Sequence, residues 1–236
     1  LGLGVRLSSG GALNSGVVPT AISDLAFWFK NDTGVAAAQW DDSSGNDNHM
    51  AQSSSGNQAS ESGGGLLFVD DNSDHYDLTT AVDIGASNAF TMICVININS
   101  YDTKNTLLGD NNETDKFLEM QNVDQIRFRE SGANVTVLKF ADSGNFPINS
   151  KYMITVTKDT SRNLVVYKNG TLLTQASSDY NPTQTGAFAL DQIGGRTAAP
   201  DEDFDGYMYE LLLYEKLLTS AELSNVQTEI KSRNGL

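Results

Sequence analysis

Residues 206–214, Gly-Tyr-Met-Tyr-Glu-Leu-Leu-Leu-Tyr, run into a capped helical pattern and constrain this chain more than any other stretch. A period of two places Tyr207, Tyr209, Leu211 and Leu213 on one face, and Met208, Glu210, Leu212 and Tyr214 on the other. Both faces are largely apolar, which predicts a central strand covered on both sides. Thr219 then opens a Thr-x-x-Glu capping box closed by Glu222, and Leu223, Val226 and Ile230 follow at helical spacing. Lys231 and Arg233 lie where a helix dipole favours cations, and Gly235 is placed to stop the helix. The prediction is one helix over 219–232.

Upstream, short apolar alternations separated by polar turns predict strands at 25–30, 65–69, 74–78, 90–98, 105–109, 116–120, 125–129, 134–140, 151–158, 163–168, 171–176, 188–193 and 206–214. Asn169-Gly170 between two of them signals a type I′ hairpin. In 151–158, Tyr152, Ile154 and Val156 alternate with Met153, Thr155 and Thr157, as in a strand with one wetter face. Gln52 to Gly65 has no periodicity and reads as a surface loop. Thirteen strands in one domain imply an all-β fold, two antiparallel sheets packed as a jelly-roll sandwich over 21–236. Residues 1–20, with Leu1, Leu3, Val5, Leu7, Val17 and Val18 spaced by glycines, form neither pattern and read as an extended arm.

The closing segment resembles that of the concanavalin A-like lectin/glucanase superfamily, in its laminin-G-like and pentraxin-like branch. Two other stretches carry the same likeness. They are Tyr167-Lys168-Asn169-Gly170 and the opening Leu25-Ala26-Phe27-Trp28-Phe29 with the loop Trp40-Asp41-Asp42-Ser43-Ser44-Gly45-Asn46-Asp47-Asn48-His49. The resemblance spans residues 22–232 and implies the lectin-type sandwich.

The formal charge of −15 argues against nucleic acid and against an anionic membrane surface as partners. No apolar run is long enough to span a bilayer, and the start lacks the layout of a secretory signal. Cys94, the single cysteine, lies in the apolar run Phe90–Ile96 and reads as a buried core residue, so no intrachain disulfide forms.

Hydrolytic members of the superfamily carry acids at alternate positions of one strand, which brings two carboxylates to one glycosidic bond. Here the nearest run is Glu113-Thr114-Asp115-Lys116-Phe117, with Phe117 where the third acid belongs, and the expectation is a non-catalytic protein. His49 and His75 have no transition-metal spacing. Calcium is the candidate cofactor, held by Asp41, Asp42 and Asn46 in one loop or by Asp201, Asp203 and Asp205 in another, against the alternative that these residues only shape turns. Arg196, after Gly194-Gly195, is expected to pair with that second acidic loop. Trp28 and Trp40 read as core rather than as sugar platforms. The Asn-x-Thr sequons at Asn31, Asn112, Asn134 and Asn169 are weak evidence in so Asn-rich a chain, and Asn169 is needed for its hairpin.

The N-terminal residues also resemble structural proteins of marine tailed phages. That implies a virion surface protein of decoration or fibre type, a member of a larger assembly or homo-oligomer. Residues 1–20 would dock on a shell protein or neighbouring subunit, and the outward loops would take host polysaccharide. The alternatives are a secreted or cell-surface carbohydrate-binding module and, after it, a polysaccharide-degrading enzyme.

Overall fold

The structure, a computed structural model, describes residues 18–85, 87–102, 104–130, 135–179, 186–196 and 202–236. After a 3-10 turn at Pro19–Ala21 come β1 (Leu25–Phe29), β2 (Val35–Ala36), β3 (Gln39–Trp40), β4 (Met50–Ala51), β5 (Ser60–Ser62), β6 (Gly65–Phe68), β7 (Tyr76–Asp83), β8 (Phe90–Ile98) and β9 (Asn105–Asp110). Next are β10 (Glu113–Asn122), β11 (Gln125–Arg129), β12 (Thr136–Phe140), β13 (Tyr152–Lys158), β14 (Leu164–Lys168) and β15 (Thr171–Leu172). The chain closes with β16 (Gln175–Asp179), β17 (Ala189–Ile193), β18 (Gly206–Tyr214) and α1 (Ser220–Asn234).

The strands form two antiparallel sheets. Sheet A runs β15-β14-β13-β8-β18-β6-β5, with β1 pairing to the second half of β18 beyond β6. Sheet B runs β16-β12-β11-β10-β9-β17-β7-β4-β3-β2. Their inner faces share one core that includes Phe27, Phe29, Trp40, Cys94, Phe128 and Leu211. The predicted sandwich is therefore present, and each predicted strand corresponds to one observed, except that 171–176 divides. Its first part, β15, edges sheet A, and the rest enters β16 at the edge of sheet B.

Helix α1 lies on the outer face of sheet A, where Leu223, Val226 and Ile230 pack on Trp28, Ile93, Val95, Met153 and Leu212. Thr219 and Glu222 complete the capping box, and Gly235 ends the helix at φ +68°. This cover explains a correction to β13: its supposed wetter face is buried, with Met153 under the helix and Thr155 accepting from Gln227 Nε2 at 3.1 Å.

A second correction concerns β18. Its register against β8 shifts between Met208 and Glu210. The bulge moves Met208 into the inter-sheet core with Leu211 and Leu213, while Tyr209 packs on the outer side with Leu212 and Tyr214. Simple alternation had put Tyr209 with Leu211, on the opposite face.

Two loop readings also change. The stretch 52–65 contains β5 and a hairpin turn into β6, with Gly63 and Gly64 at φ +59° and +86°. Such a two-residue turn needs positive φ at both positions, which glycine adopts without cost. The arm expected over 1–20 lies outside the described residues as far as 17. Beyond that it belongs to the domain, since the buried Tyr214 hydroxyl donates to Pro19 O at 3.0 Å and Ile22 joins the helix-side core. Among the described residues no helix is long and apolar enough to cross a membrane.

Candidate functional site

The 41–48 loop is organised around Asp42. One of its oxygens accepts from the backbone N–H groups of Trp28 and Ser44, each at 2.8 Å. The other accepts from Ser44 Oγ at 2.6 Å and from the Asn48 N–H at 3.0 Å. Asn46 donates through Nδ2 to Leu25 O at 2.6 Å, tying the loop to β1. Asp41 is exposed, and its Oδ1 accepts from Gln39 Nε2 at 2.6 Å. A cation needs oxygen lone pairs free to face it. Asp42 accepts from loop donors and from β1, and Asn46 ties the loop to β1 through its amide nitrogen, so turn and loop geometry accounts for the positions of both.

Of the second loop, Asp201 lies outside the described residues. Asp203 is buried beneath the Gly194-Gly195 turn, and its Oδ1 accepts from the Arg196 N–H at 3.2 Å. Burial pushes its carboxyl up to about 7, against the opposing pull of that hydrogen bond. Asp205 accepts from Asn99 Nδ2 at 3.2 Å. Among the described residues no group of three or more His, Cys, Asp or Glu side chains converges as a metal site.

The outer face of sheet B carries a charged network instead. On β10, Leu118 and Met120 point into the core, so Phe117 and Glu119 point outward, with Arg127 facing Glu119 across the β10–β11 pair. Glu119 is fully buried and pairs with Arg127 and with Arg196, whose Nη2 lies at 3.5 Å. Arg196 also pairs with Glu202, as does Lys104. The Arg196 guanidinium lies 4.3 Å from the Phe117 ring centroid. Burial lifts the Glu119 carboxyl above its usual range despite the neighbouring cations. The expected partnership of Arg196 with the acidic loop is thus present. Glu119 was overlooked, although it sits two residues past Phe117 and directly opposite an arginine in a short hairpin. Both of its oxygens face guanidinium groups, so Glu119 itself is engaged in ion pairs rather than free for acid or base work.

A different surface has the make-up of a ligand site. The bulge in β18 sets Tyr207 and Tyr209, both half-buried, on the outer side of sheet A. Their rings stack with centroids 5.7 Å apart and planes 6° from parallel. Lys151 Nζ lies 4.2 Å from the Tyr209 centroid. The Gly63-Gly64-Gly65 turn runs beside them, and a Cβ on Gly63 would stand 2.9 Å from the Tyr209 ring. Past this turn opens a polar cleft of about 390 Å³ lined by Asp32, Gly34, Val35, Glu61, Ser62 and the three glycines of the turn. It lies where the β5–β6 edge of sheet A meets β2, the end strand of sheet B. Asn31 ties this region to β18, donating through Nδ2 to Tyr209 O at 3.2 Å, while the Asp32 N–H donates to Gly64 O at 2.7 Å. Sequence reasoning missed this site because it read 52–65 as plain loop. The Gly doublet was the available signal.

Both tryptophans are core, as expected. Trp40 is enclosed between the sheets, and Trp28 Nε1 donates at 2.7 Å to the buried Glu210 beneath the helix.

Residues 70–224 match the profile Laminin_G_3 of the concanavalin A-like lectin/glucanases superfamily. The chain belongs to this superfamily. No curated protein matches the chain significantly. Similar solved structures include a Trypanosoma rangeli sialidase in complex with a difluorinated nononic acid, at TM-score 0.58 and 16% identity over 89% of this chain and 33% of that one. The binding domain of Paraclostridial Mosquitocidal Protein 1 matches at TM-score 0.60 and 14% identity, over 87% of this chain and 52% of that one. The chain thus spans about a third of the sialidase and half of the binding domain. At these identities the likeness is one of fold.

Proposed function

We propose that this domain binds carbohydrate without transforming it, and that the sugar lies on the Tyr207–Tyr209 face with its hydroxyls directed into the adjoining cleft. The observation that carries the reading is a stacked tyrosine pair whose Tyr209 ring lies against Gly63, a residue that lines a polar cleft. Ligand sites combine aromatic surface with a few fixed polar groups that set orientation. A pyranose has an apolar ring face and a hydroxyl rim, and this surface offers a partner for each. The lectin-type fold supports the reading, and the engagement of Glu119 by two arginines supports the absence of catalysis. A virion setting gains no support from the superfamily or the similar structures, and the arm at 1–20 that suggested it lies outside the described residues as far as 17.

The test is affinity electrophoresis in gels containing soluble polysaccharides, with Tyr207→Ala and Tyr209→Ala beside the parent. Each substitution is expected to weaken retention roughly tenfold or more, in line with about 1–3 kcal/mol for losing an aromatic contact. Retention unchanged in both variants, with folding intact by circular dichroism, would sink the assignment.

A further inference from the structure

Resting on the reading just given, we propose that the cleft selects uncharged sugars and turns away acidic ones, through Asp32 and Glu61. Both side chains line the cleft and both are exposed. Glu61 is steadied by the Ala37 N–H, which donates to its Oε1 at 3.3 Å. Asp32 is fixed at its backbone, with φ +55° and its N–H bonded to Gly64 O, so its carboxylate lies directly against the Gly64 backbone. Two carboxylates at the cleft wall are strong acceptors for sugar hydroxyls, forming charge-assisted hydrogen bonds with them. The same two groups repel a sugar carboxylate brought into so small a space.

No arginine or lysine lines the cleft among the described residues. Lys151, beside it, directs its ammonium at the Tyr209 ring and feels the charges of Glu210 and Asp32. The arginines that would suit an acidic sugar, Arg127 and Arg196, lie on the outer face of the other sheet and are paired with Glu119 and Glu202. A formal charge of −15 adds a longer-range repulsion that salt screens.

The experiment applies the parent and the Asp32→Asn/Glu61→Gln double variant to an array of neutral glycans and their sialylated or uronate-containing counterparts, at 50 mM and 500 mM NaCl. The parent is expected to bind neutral glycans at least tenfold better than acidic ones at both salt concentrations. The double variant is expected to narrow that gap severalfold. Equal or preferred binding of acidic glycans by the parent overturns the inference and leaves carbohydrate binding standing. A neutral preference that the double variant keeps unchanged removes the assignment to these two residues. An array on which the parent binds nothing overturns both this inference and the reading beneath it.

Discussion

Asp203 shows how burial sets the behaviour of a single residue. Its carboxyl titrates near 3.8 when unfolded and about 7 in the fold. Between these values the folded protein holds a proton that the unfolded chain has released. Its contribution is therefore most favourable below about pH 4, declines as pH rises, and is least favourable above 7. Asp203→Asn keeps an oxygen for the Arg196 N–H and removes the charge. The variant should be more stable than the parent at pH 8, by about 1–3 kcal/mol, with the difference vanishing toward pH 4. Urea titrations at several pH values check this, and a variant less stable at pH 8 would mean that attraction to Arg196 outweighs burial. This residue also marks a limit of sequence reading. Asp-rich composition pointed to calcium for Asp42 and Asp203 alike. Nothing in the acidic motifs themselves announces that Asp42 also accepts from the Trp28 N–H of β1 or that Asp203 is packed under a glycine turn, since both depend on how the chain folds back on itself.

At the scale of elements, what was legible was whatever depends on neighbours in the chain. The capping box and terminal glycine of α1, and the Asn169-Gly170 hairpin with φ +49° and +83°, are local chemistry and appear as expected. The bulge in β18 and the helix over β13 are settled by partners elsewhere, so alternation alone misplaced Tyr209 and left Thr155 wet. The tyrosine half of the candidate site depends on that bulge, and the cleft half on the β5–β6 turn, which reads as plain loop in the sequence. The domain's N-terminal boundary can be tested in the same way. Deleting residues 1–21 removes Pro19 O, which accepts from the buried Tyr214 hydroxyl, whereas deleting 1–17 leaves it. An unpaired buried hydroxyl costs about 1–3 kcal/mol. The longer deletion should be less stable than the shorter by that amount, about 2–12 °C in melting temperature. Equal melting temperatures would place the Pro19–Ala21 turn outside the cooperative unit.

Across the molecule, the carboxyls that burial shifts all move in one direction. Asp74, Glu119, Glu130, Asp191, Asp203 and Glu210 are all held above their usual range, chiefly by burial. Each gives a folded state that binds protons more tightly than the unfolded chain, so each lowers stability as pH rises from about 4 through its folded value. Among the described residues the carboxyls shifted down are Asp159 and Glu222, by hydrogen bonds that hold the charged form. Their support is present above about pH 4 and is lost below it. The formal charge of −15 reinforces the trend, because acidification relieves self-repulsion in the compact state. The melting temperature should therefore rise as pH falls from 8, reach its maximum between about 4.5 and 6, and fall again below 4. Adding 0.5 M NaCl should raise it more at pH 8 than at pH 5, since the screened repulsion is larger there. Thermal scans from pH 3.5 to 9 at low and high salt measure both. A melting temperature that climbs steadily up to pH 8 would show that the ion pairs, Lys158 with Glu130 and Arg196 with Glu119 among them, outweigh the cost of burying their carboxylates.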